Sequence, residues 1–185
     1  MSKRVIGVIY GSLRKESFSK KVALNLLNMA PEGFEFKILD ISDLPMFNPD
    51  LDDNGSPESY NRFRKEAKAV DGFIFVTPEY NRSLPPAMKN ALDVGSRPTG
   101  ESVWGGKPGG IISVSQGKLG GFGANHHLRQ PLVFLNVLIL QQPEVYLGNV
   151  ASIIDAEGNI SDDSSKKFVQ KFVDAFSNWV NTVAK

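Results

Sequence analysis

The chain has no cysteine in its 185 residues. That removes a disulfide framework, a thiolate metal site and a cysteine nucleophile together. It also lacks an excess of either charge: 21 Lys and Arg stand against 20 Asp and Glu, a formal net charge of +1. Such a balance disfavours bulk nucleic-acid binding and attachment to an anionic membrane surface. Long hydrophobic runs are missing too. The longest apolar stretch, Leu132 to Leu140, is interrupted by Asn136, well short of the roughly 20 residues of a membrane span. Met-Ser-Lys-Arg-Val leads straight into a strand pattern, with no signal-peptide layout. The expectation is a soluble cytoplasmic protein with no membrane insertion and no nucleic-acid partner.

Histidine is scarce. The only two, His126 and His127, are adjacent. On a helix such neighbours point roughly 100° apart, so they do not chelate one metal easily. Helix-surface or interface packing is expected of them, and no metal. Asp50, Asp52 and Asp53 resemble part of a calcium loop, but the glycine and terminal glutamate spacing is wrong. They read as a solvated loop.

What is present is globular: 41% apolar and 22% charged residues. The length suits one domain, residues 1–185, with a core that needs no staples. Strand and helix patterns alternate. Residues 4–10 read as a strand, and about 17–29 as a helix with Phe18, Val22, Leu26 and Met29 on one face. Phe34, Phe36 and Ile38 alternate in a shorter strand over 34–39. A loop over about 40–56 leads to a polar helix near 57–69, with Ser56 as N-cap before Pro57. Residues 72–77 form a third strand and about 86–95 a helix. A fourth strand lies within 108–115, followed by a glycine-rich loop, Gln116 to Gly123. An apolar helix covers about 124–138, with a kink or break expected near 127–131 at Pro131. A short strand near 143–147, a surface excursion over 148–160 and an amphipathic helix over 162–183 complete the chain.

Five strands alternating with helices predict an α/β, three-layer doubly wound fold around a five-stranded parallel sheet. The order 2-1-3-4-5 brings the loops at 11–19 and 78–83 to one crevice.

Those two loops carry the chemistry. Gly11-Ser12-Leu13-Arg14-Lys15-Glu16-Ser17-Phe18-Ser19 follows the first strand and opens a helix. Hydroxyls at Ser12, Ser17 and Ser19, the Arg14 guanidinium and a helix N-terminus are all phosphate-seeking. No Gly-Lys-Ser/Thr or Gly-x-Gly-x-x-Gly is present there, which disfavours ATPase chemistry and a dinucleotide fold. One phosphate monoester is the better match. The second loop, Pro78-Glu79-Tyr80-Asn81, is polar and aromatic. The third, after the fourth strand, offers the thin backbone of Gly117, Gly120 and Gly121 to a flat ring. Backbone groups of 78–81 and 115–117 can pair with a polar ring edge. A phosphate tail on a polar-edged tricycle is flavin mononucleotide, FMN. A hydrolase is disfavoured, because Ser115 lies in Val-Ser-Gln-Gly without the Gly-x-Ser-x-Gly elbow.

Gly11-Ser12-Leu13-Arg14-x-x-Ser17-Phe18, Thr77-Pro78-Glu79-Tyr80-Asn81, Pro85 with Lys89-Asn90-Ala91-Leu92-Asp93, and Gly106-Lys107-Pro108 resemble the NADPH-dependent FMN reductase family. His127-Leu128-Arg129-Gln130 and Gln142-Pro143-Glu144 narrow the resemblance to its bacterial quinone and chromate reductase branch, with azoreductases as near relatives. The resemblance covers about residues 4–150. It implies a flavodoxin-like fold, bound FMN, NADPH or NADH as electron donor, and a homodimer or homotetramer. Ser12, Arg14, Ser17 and Ser19 would hold the phosphate, with Phe18 in the same motif. Pro78, Glu79, Tyr80 and Asn81 would line the isoalloxazine, and Ser115, Gln116 and Gly117 its other side.

Glu79 is expected to position the ring through its backbone, because the cofactor carries the redox chemistry. Arg82, at the rim, would attract nicotinamide phosphates or an anionic acceptor, or would simply pair with a neighbouring acid. Arg82, Gly120 and Gly121 are the candidate substrate contacts. The chain departs from the branch at Ser19, where asparagine is usual, and at Arg82, where tyrosine is common. Gly123 and His126 stand where relatives can carry arginine and tyrosine, and Val94 replaces a frequent tryptophan.

The implied activity is hydride relay from NAD(P)H through FMN to a quinone, with chromate, azo compounds or free flavin as further acceptors. The alternatives are a flavodoxin-type electron carrier and a non-catalytic FMN-binding protein. Carriers are usually strongly acidic, and this chain is near neutral.

Overall fold

Strand alternation sorts the apolar side chains into two sets, and each set meets its own layer of helices. In the computed structural model, which describes residues 3–53 and 55–184, Ile6, Val8, Ile74, Val76, Ile112 and Val114 share one core. They pack with Val22 and Leu26 of the first helix and Phe172 and Phe176 of the last. Ile9, Phe73, Phe75 and Ile111 belong to a second core, with Phe63, Met88, Leu92, Trp104, Leu128 and Leu132. A sheet buried on both faces reads as near-continuous apolar strands, and these do.

The strands are β1 (Arg4–Tyr10), β2 (Phe34–Ile38), β3 (Gly72–Pro78), β4 (Pro108–Val114), β5 (Leu138–Ile139) and β6 (Val145–Leu147). The helices are α1 (Phe18–Leu27), α2 (Pro49–Asp53), α3 (Glu58–Lys68), α4 (Pro86–Gly95), α5 (Phe122–Phe134), α6 (Val150–Ile153) and α7 (Asp163–Val183). All ladders are parallel, in the order β2-β1-β3-β4-β5. The predicted doubly wound fold is present. Its fifth position is divided: β5 pairs with Pro108 and Gly109 at the start of β4, and β6 with Ile112 to Val114 at its end. The sheet thus has six strands in five positions. Leu138–Ile139 is too short for a periodic signal, so sequence reading absorbs it into the preceding helix.

Three other expectations change. The 40–56 loop contains α2. Ser56 does not cap α3; Pro57 takes that place without a side-chain cap, and the Ser56 hydroxyl bonds Asp52 instead. Helix α5 continues through Pro131 to Phe134, then turns at Asn136 with φ of 57°. Proline removes one N–H, but the helix ends within a turn and tertiary packing of Leu128 and Leu132 carries it.

Loop 40–56 is largely exposed, Asp50 and Asp53 included, but it is anchored at Asp52 and near Phe47. Arg64 of α3 is buried and binds Asp52 through Nη1–Oδ1 at 2.8 Å and Nη2–Oδ2 at 2.7 Å. It also donates to the Val94 carbonyl at 2.9 Å. Asn90 of α4, also buried, accepts from the Phe47 N–H at 2.7 Å and donates to the carbonyls of Leu44 and Pro45. The Lys-Asn-Ala-Leu-Asp segment therefore holds a loop in place. Among the described residues, no helix is long and apolar enough to cross a membrane.

Candidate active site

The chain direction of the sheet order reverses between β1 and β3, and a cleft opens at their C-terminal ends. Its volume is about 180 Å³, smaller than an enclosed small-molecule pocket of roughly 300–1,000 Å³, and it is open to solvent. Ser12, Arg14, Ser17, Phe18 and Ser19 line one end. Pro78, Glu79 and Tyr80 line one side, and Ser115 and Gln116 the other. Ten of the twelve candidate cofactor contacts thus meet in one place. Asn81 and Gly117 flank the lining rather than form it. Val114 and Val150 complete it.

The β1–α1 loop is built for an anion. Ser17 adopts an extended backbone and caps α1, accepting from the Lys20 N–H at 3.1 Å. Its Oγ lies 2.9 Å from that of Ser19. Ser12, Ser17 and Ser19 are 5%, 3% and 1% exposed, so their hydroxyls are already out of water. No described residue accepts from the N–H groups of Phe18 and Ser19, the free donors of the helix end. Arg14 is exposed and has no ion-pair partner among the described residues. Free helix-end donors and an unpaired guanidinium lining one cleft fit a phosphate. Across the cleft, the Tyr80 hydroxyl lies 3.2 Å from Ser12 Oγ.

The β3–α4 loop is a tight hairpin. The Tyr80 N–H donates to the Ser83 carbonyl at 2.9 Å and the Ser83 N–H to the Tyr80 carbonyl at 3.0 Å. Asn81 and Arg82, the two central residues, have φ of 50° and 65°. This is the left-handed pair that two-residue hairpins require, and asparagine suits it better than arginine. Arg82 projects into solvent and pairs with Glu79 at 3.3 Å, outside the cleft lining. Glu79 has a role that sequence reading gave only to its backbone. Its Oε2 accepts from the Ala124 N–H at 3.1 Å, in the first turn of α5.

The β4–α5 loop is stitched to the segment after β6. The Ser115 N–H donates to the Leu147 carbonyl at 3.0 Å, and the Val150 N–H to the Ser115 carbonyl at 3.1 Å. Ser115 Oγ accepts from the Gly117 N–H at 3.1 Å. These bonds carry buried Val150 to the cleft, so residues 148–160 are not simply a surface excursion. Gly120 and Gly121 use their freedom within the protein rather than at an open ring face. A Cβ on Gly120, with φ of 59°, would lie 2.6 Å from the Tyr146 carbonyl carbon. Gly121, with φ of 76°, starts α5.

Phe122, Val133 and Phe134 of α5 are exposed, as is Leu119 in the loop before it. His126 stacks on Phe122, with centroids 4.3 Å apart, and its Nε2 lies 3.0 Å from the Tyr146 hydroxyl. That hydroxyl donates to Glu144 Oε2 at 2.5 Å. Burial, then the Glu144 carboxylate, push the Tyr146 phenol up to about 12. His127 turns the other way, its Nδ1 2.7 Å from Ser83 Oγ. The two histidines do pack on different partners, and no cluster of three or more His, Cys, Asp or Glu able to hold a metal exists among the described residues.

A parallel doubly wound sheet with a serine- and arginine-bearing first loop and an aromatic third-strand loop at its switch point defines a flavodoxin-like fold. Residues 5–152 match the family model for NADPH-dependent FMN reductase, and the chain belongs to that family. It is 51% identical over 175 residues to a quinone reductase of Pseudomonas putida, covering 95% of this chain and 94% of that one. It is 45% identical over 175 residues to a 2-hydroxy-1,4-benzoquinone reductase of Burkholderia sp., covering 95% of each. Among solved structures, it superimposes on FerB, a flavoenzyme NAD(P)H:(acceptor) oxidoreductase from Paracoccus denitrificans, with a TM-score of 0.91. That match has 37% identity and covers 98% of this chain and 100% of that one.

Proposed function

We infer that this chain is an FMN-dependent oxidoreductase that passes hydride equivalents from NADPH or NADH to a quinone. The observation that carries this reading is the cleft itself. Buried hydroxyls, free helix-end N–H groups and the unpaired Arg14 stand at one end, and the aromatic hairpin and the Ser115 loop at the other. Family membership and the quinone reductases among its relatives support the same conclusion.

In this reading Ser12, Arg14, Ser17 and Ser19, with the N–H groups of Phe18 and Ser19, hold the phosphate. Pro78 to Asn81 and Ser115 to Gly117 present backbone N–H and carbonyl groups to the ring. FMN supplies the ability to accept a hydride from nicotinamide and release it to an acceptor. The protein retains it, keeps one side of it accessible and excludes water from its phosphate. Arg82, free in solvent beyond its weak pair with Glu79, draws anionic donor or acceptor groups to the rim. Chromate, azo compounds and free flavin are further acceptors to test. Use of a soluble nicotinamide donor is consistent with a cytoplasmic activity.

The exposed surface of α5 and the adjacent Gln116–Gly123 loop support assembly of this chain with copies of itself, as a homodimer or homotetramer. Four large apolar side chains exposed on α5 and the loop before it exceed what scattered exposure explains.

One set of measurements tests the reading. The purified protein should be yellow, release FMN and not FAD, and oxidise NADPH or NADH faster when a quinone is added. Release of FAD, no flavin after reconstitution, or FMN bound without nicotinamide oxidation would overturn it; the last outcome would favour the electron carrier.

A further inference from the structure

Helix α5 begins without a cap of its own. Its N-cap residue is Gly121, which has no side chain to accept from the first-turn N–H groups. The acceptor comes from the hairpin of a different loop. Glu79 Oε2 takes the Ala124 N–H at 3.1 Å, and the Glu79 side chain is only 12% exposed. A carboxylate there also answers the positive end of the helix dipole. Contact is close: a Cβ on Gly123 would lie 2.9 Å from Glu79 Oε2 and 2.9 Å from the Arg82 carbonyl oxygen. Four residues further on, Ser83 Oγ meets His127 Nδ1 at 2.7 Å. The hairpin Tyr80–Ser83 is therefore pinned at both ends to successive turns of α5, and Glu79 also borders the cleft.

We propose that the Glu79 side chain is a positioning residue for the flavin, acting through α5. By capping the helix it sets the height of the Pro78–Asn81 backbone against the ring. By its charge, which is also weakly paired with Arg82, it opposes the positive end of α5 next to the cleft-lining hairpin. The second effect follows from electrostatics. Reduction adds negative charge to a flavin, so an uncompensated helix N-terminus nearby favours the reduced form, and a carboxylate on that terminus opposes it. This inference rests on the FMN reading above.

The two effects separate by substitution. Glu79→Gln keeps an oxygen that can accept from the Ala124 N–H but removes the charge. Glu79→Ala removes both. FMN affinity is measured by fluorescence quenching and the two-electron potential of the bound flavin by equilibration with a reference dye. Glu79→Ala should weaken FMN and riboflavin alike, by about tenfold, because the ring loop and not the phosphate is disturbed. Glu79→Gln should recover most of that affinity and show a potential more positive than the parent. Parental affinity in Glu79→Ala, or a parental potential in Glu79→Gln, would overturn the proposal. Should Glu79→Ala not fold, Gly123→Ala serves. Its Cβ must push the hairpin away, and unchanged flavin affinity there would count against the idea equally. A parent protein that takes up no flavin would overturn the FMN reading instead.

Discussion

Arg64 and Asp52 face each other through two parallel hydrogen bonds of 2.8 and 2.7 Å, with side chains only 10% and 12% exposed. The Arg64 hydrogen bonds, followed by that of Ser56, hold the Asp52 carboxyl below its ordinary value against the opposing effect of burial. Removing one partner would leave the other charged and buried. Arg64→Ala should lower stability by about 3–5 kcal/mol, read by denaturant unfolding. Because the folded pKa is depressed, the pair's contribution is complete above the unfolded carboxylate value and is lost as pH falls through the folded one. Asp52→Asn should therefore flatten the acid limb of the stability profile below about pH 4. An acid limb identical to the parent's would show that other carboxylates govern it.

Lys107 gives a slope of the same sign at the alkaline end of the range. Its Nζ donates to the carbonyls of Ala67 and Lys68 at 2.8 and 2.9 Å, closing the C-terminal end of α3. Burial is the main reason its pKa drops to about 8, with Asp71 pulling the other way. Above that value the folded chain sheds a proton that the unfolded chain still holds, so this residue makes stability rise with pH from about 8 to 10. Tyr10, Tyr60 and Tyr146 have raised values and act in the reverse sense above that window. Lys107→Met should lose the rise between about pH 8 and 10, measured by thermal unfolding across that range. A parent profile that is flat there would contradict the assignment.

Arg14 should matter to the phosphate alone. Arg14→Ala removes a charge-assisted contact of about 1.5–3 kcal/mol, which is tenfold or more in FMN affinity. Riboflavin, which has no phosphate, should bind the variant and the parent alike. Equal weakening of both ligands in titration would mean that Arg14 supports the loop's fold instead.

Donor and acceptor should exclude one another. Tyr80, Ser115 and Gln116 all line the cleft, and in the proposed reading donor and acceptor would stack in turn on the same flavin face. Double-reciprocal plots with NAD(P)H and quinone both varied should give parallel lines, and intersecting lines would refute a shared site. Arg82→Ala should change a KM more than kcat, since its guanidinium lies in solvent beyond the lining and can add only uniform binding.

Most of the sheet was legible in the chain, because β1, β3 and β4 are buried on both faces and bounded by turn residues. The anion loop was legible for a local reason. Ser12, Arg14, Ser17 and Ser19 lie within one loop and the first turn of α1, so nearness in sequence brings them together. What escaped is what depends on distant parts of the chain. Nothing near Glu79 in sequence announces Ala124, and nothing near Val150 announces the cleft. Asp52 looked solvated because its partner is 12 residues away, on a helix whose polar composition suggested exposure. Leu138–Ile139 is a strand only because β4 lies beside it. Gly120 and Gly121 suggested an open ring face, whereas the surface they approach is the protein's own Tyr146 and Ser113.

The Ser17–Ser19 pair bears on selectivity in a way that distances alone do not express. Both hydroxyls were stripped of water when the chain folded, so a ligand arriving there has no hydration to remove from them. Ser17 Oγ accepts from the Lys20 N–H, and either hydroxyl can be the donor in the Ser17–Ser19 bond. In the proposed reading, phosphate entry would be an exchange of partners, that hydroxyl–hydroxyl bond given up for bonds to the ligand. A molecule without acceptor oxygens at that end offers no such exchange, and leaves Arg14 and two helix-end N–H groups facing it unanswered. The loop thus discriminates by what a ligand fails to supply.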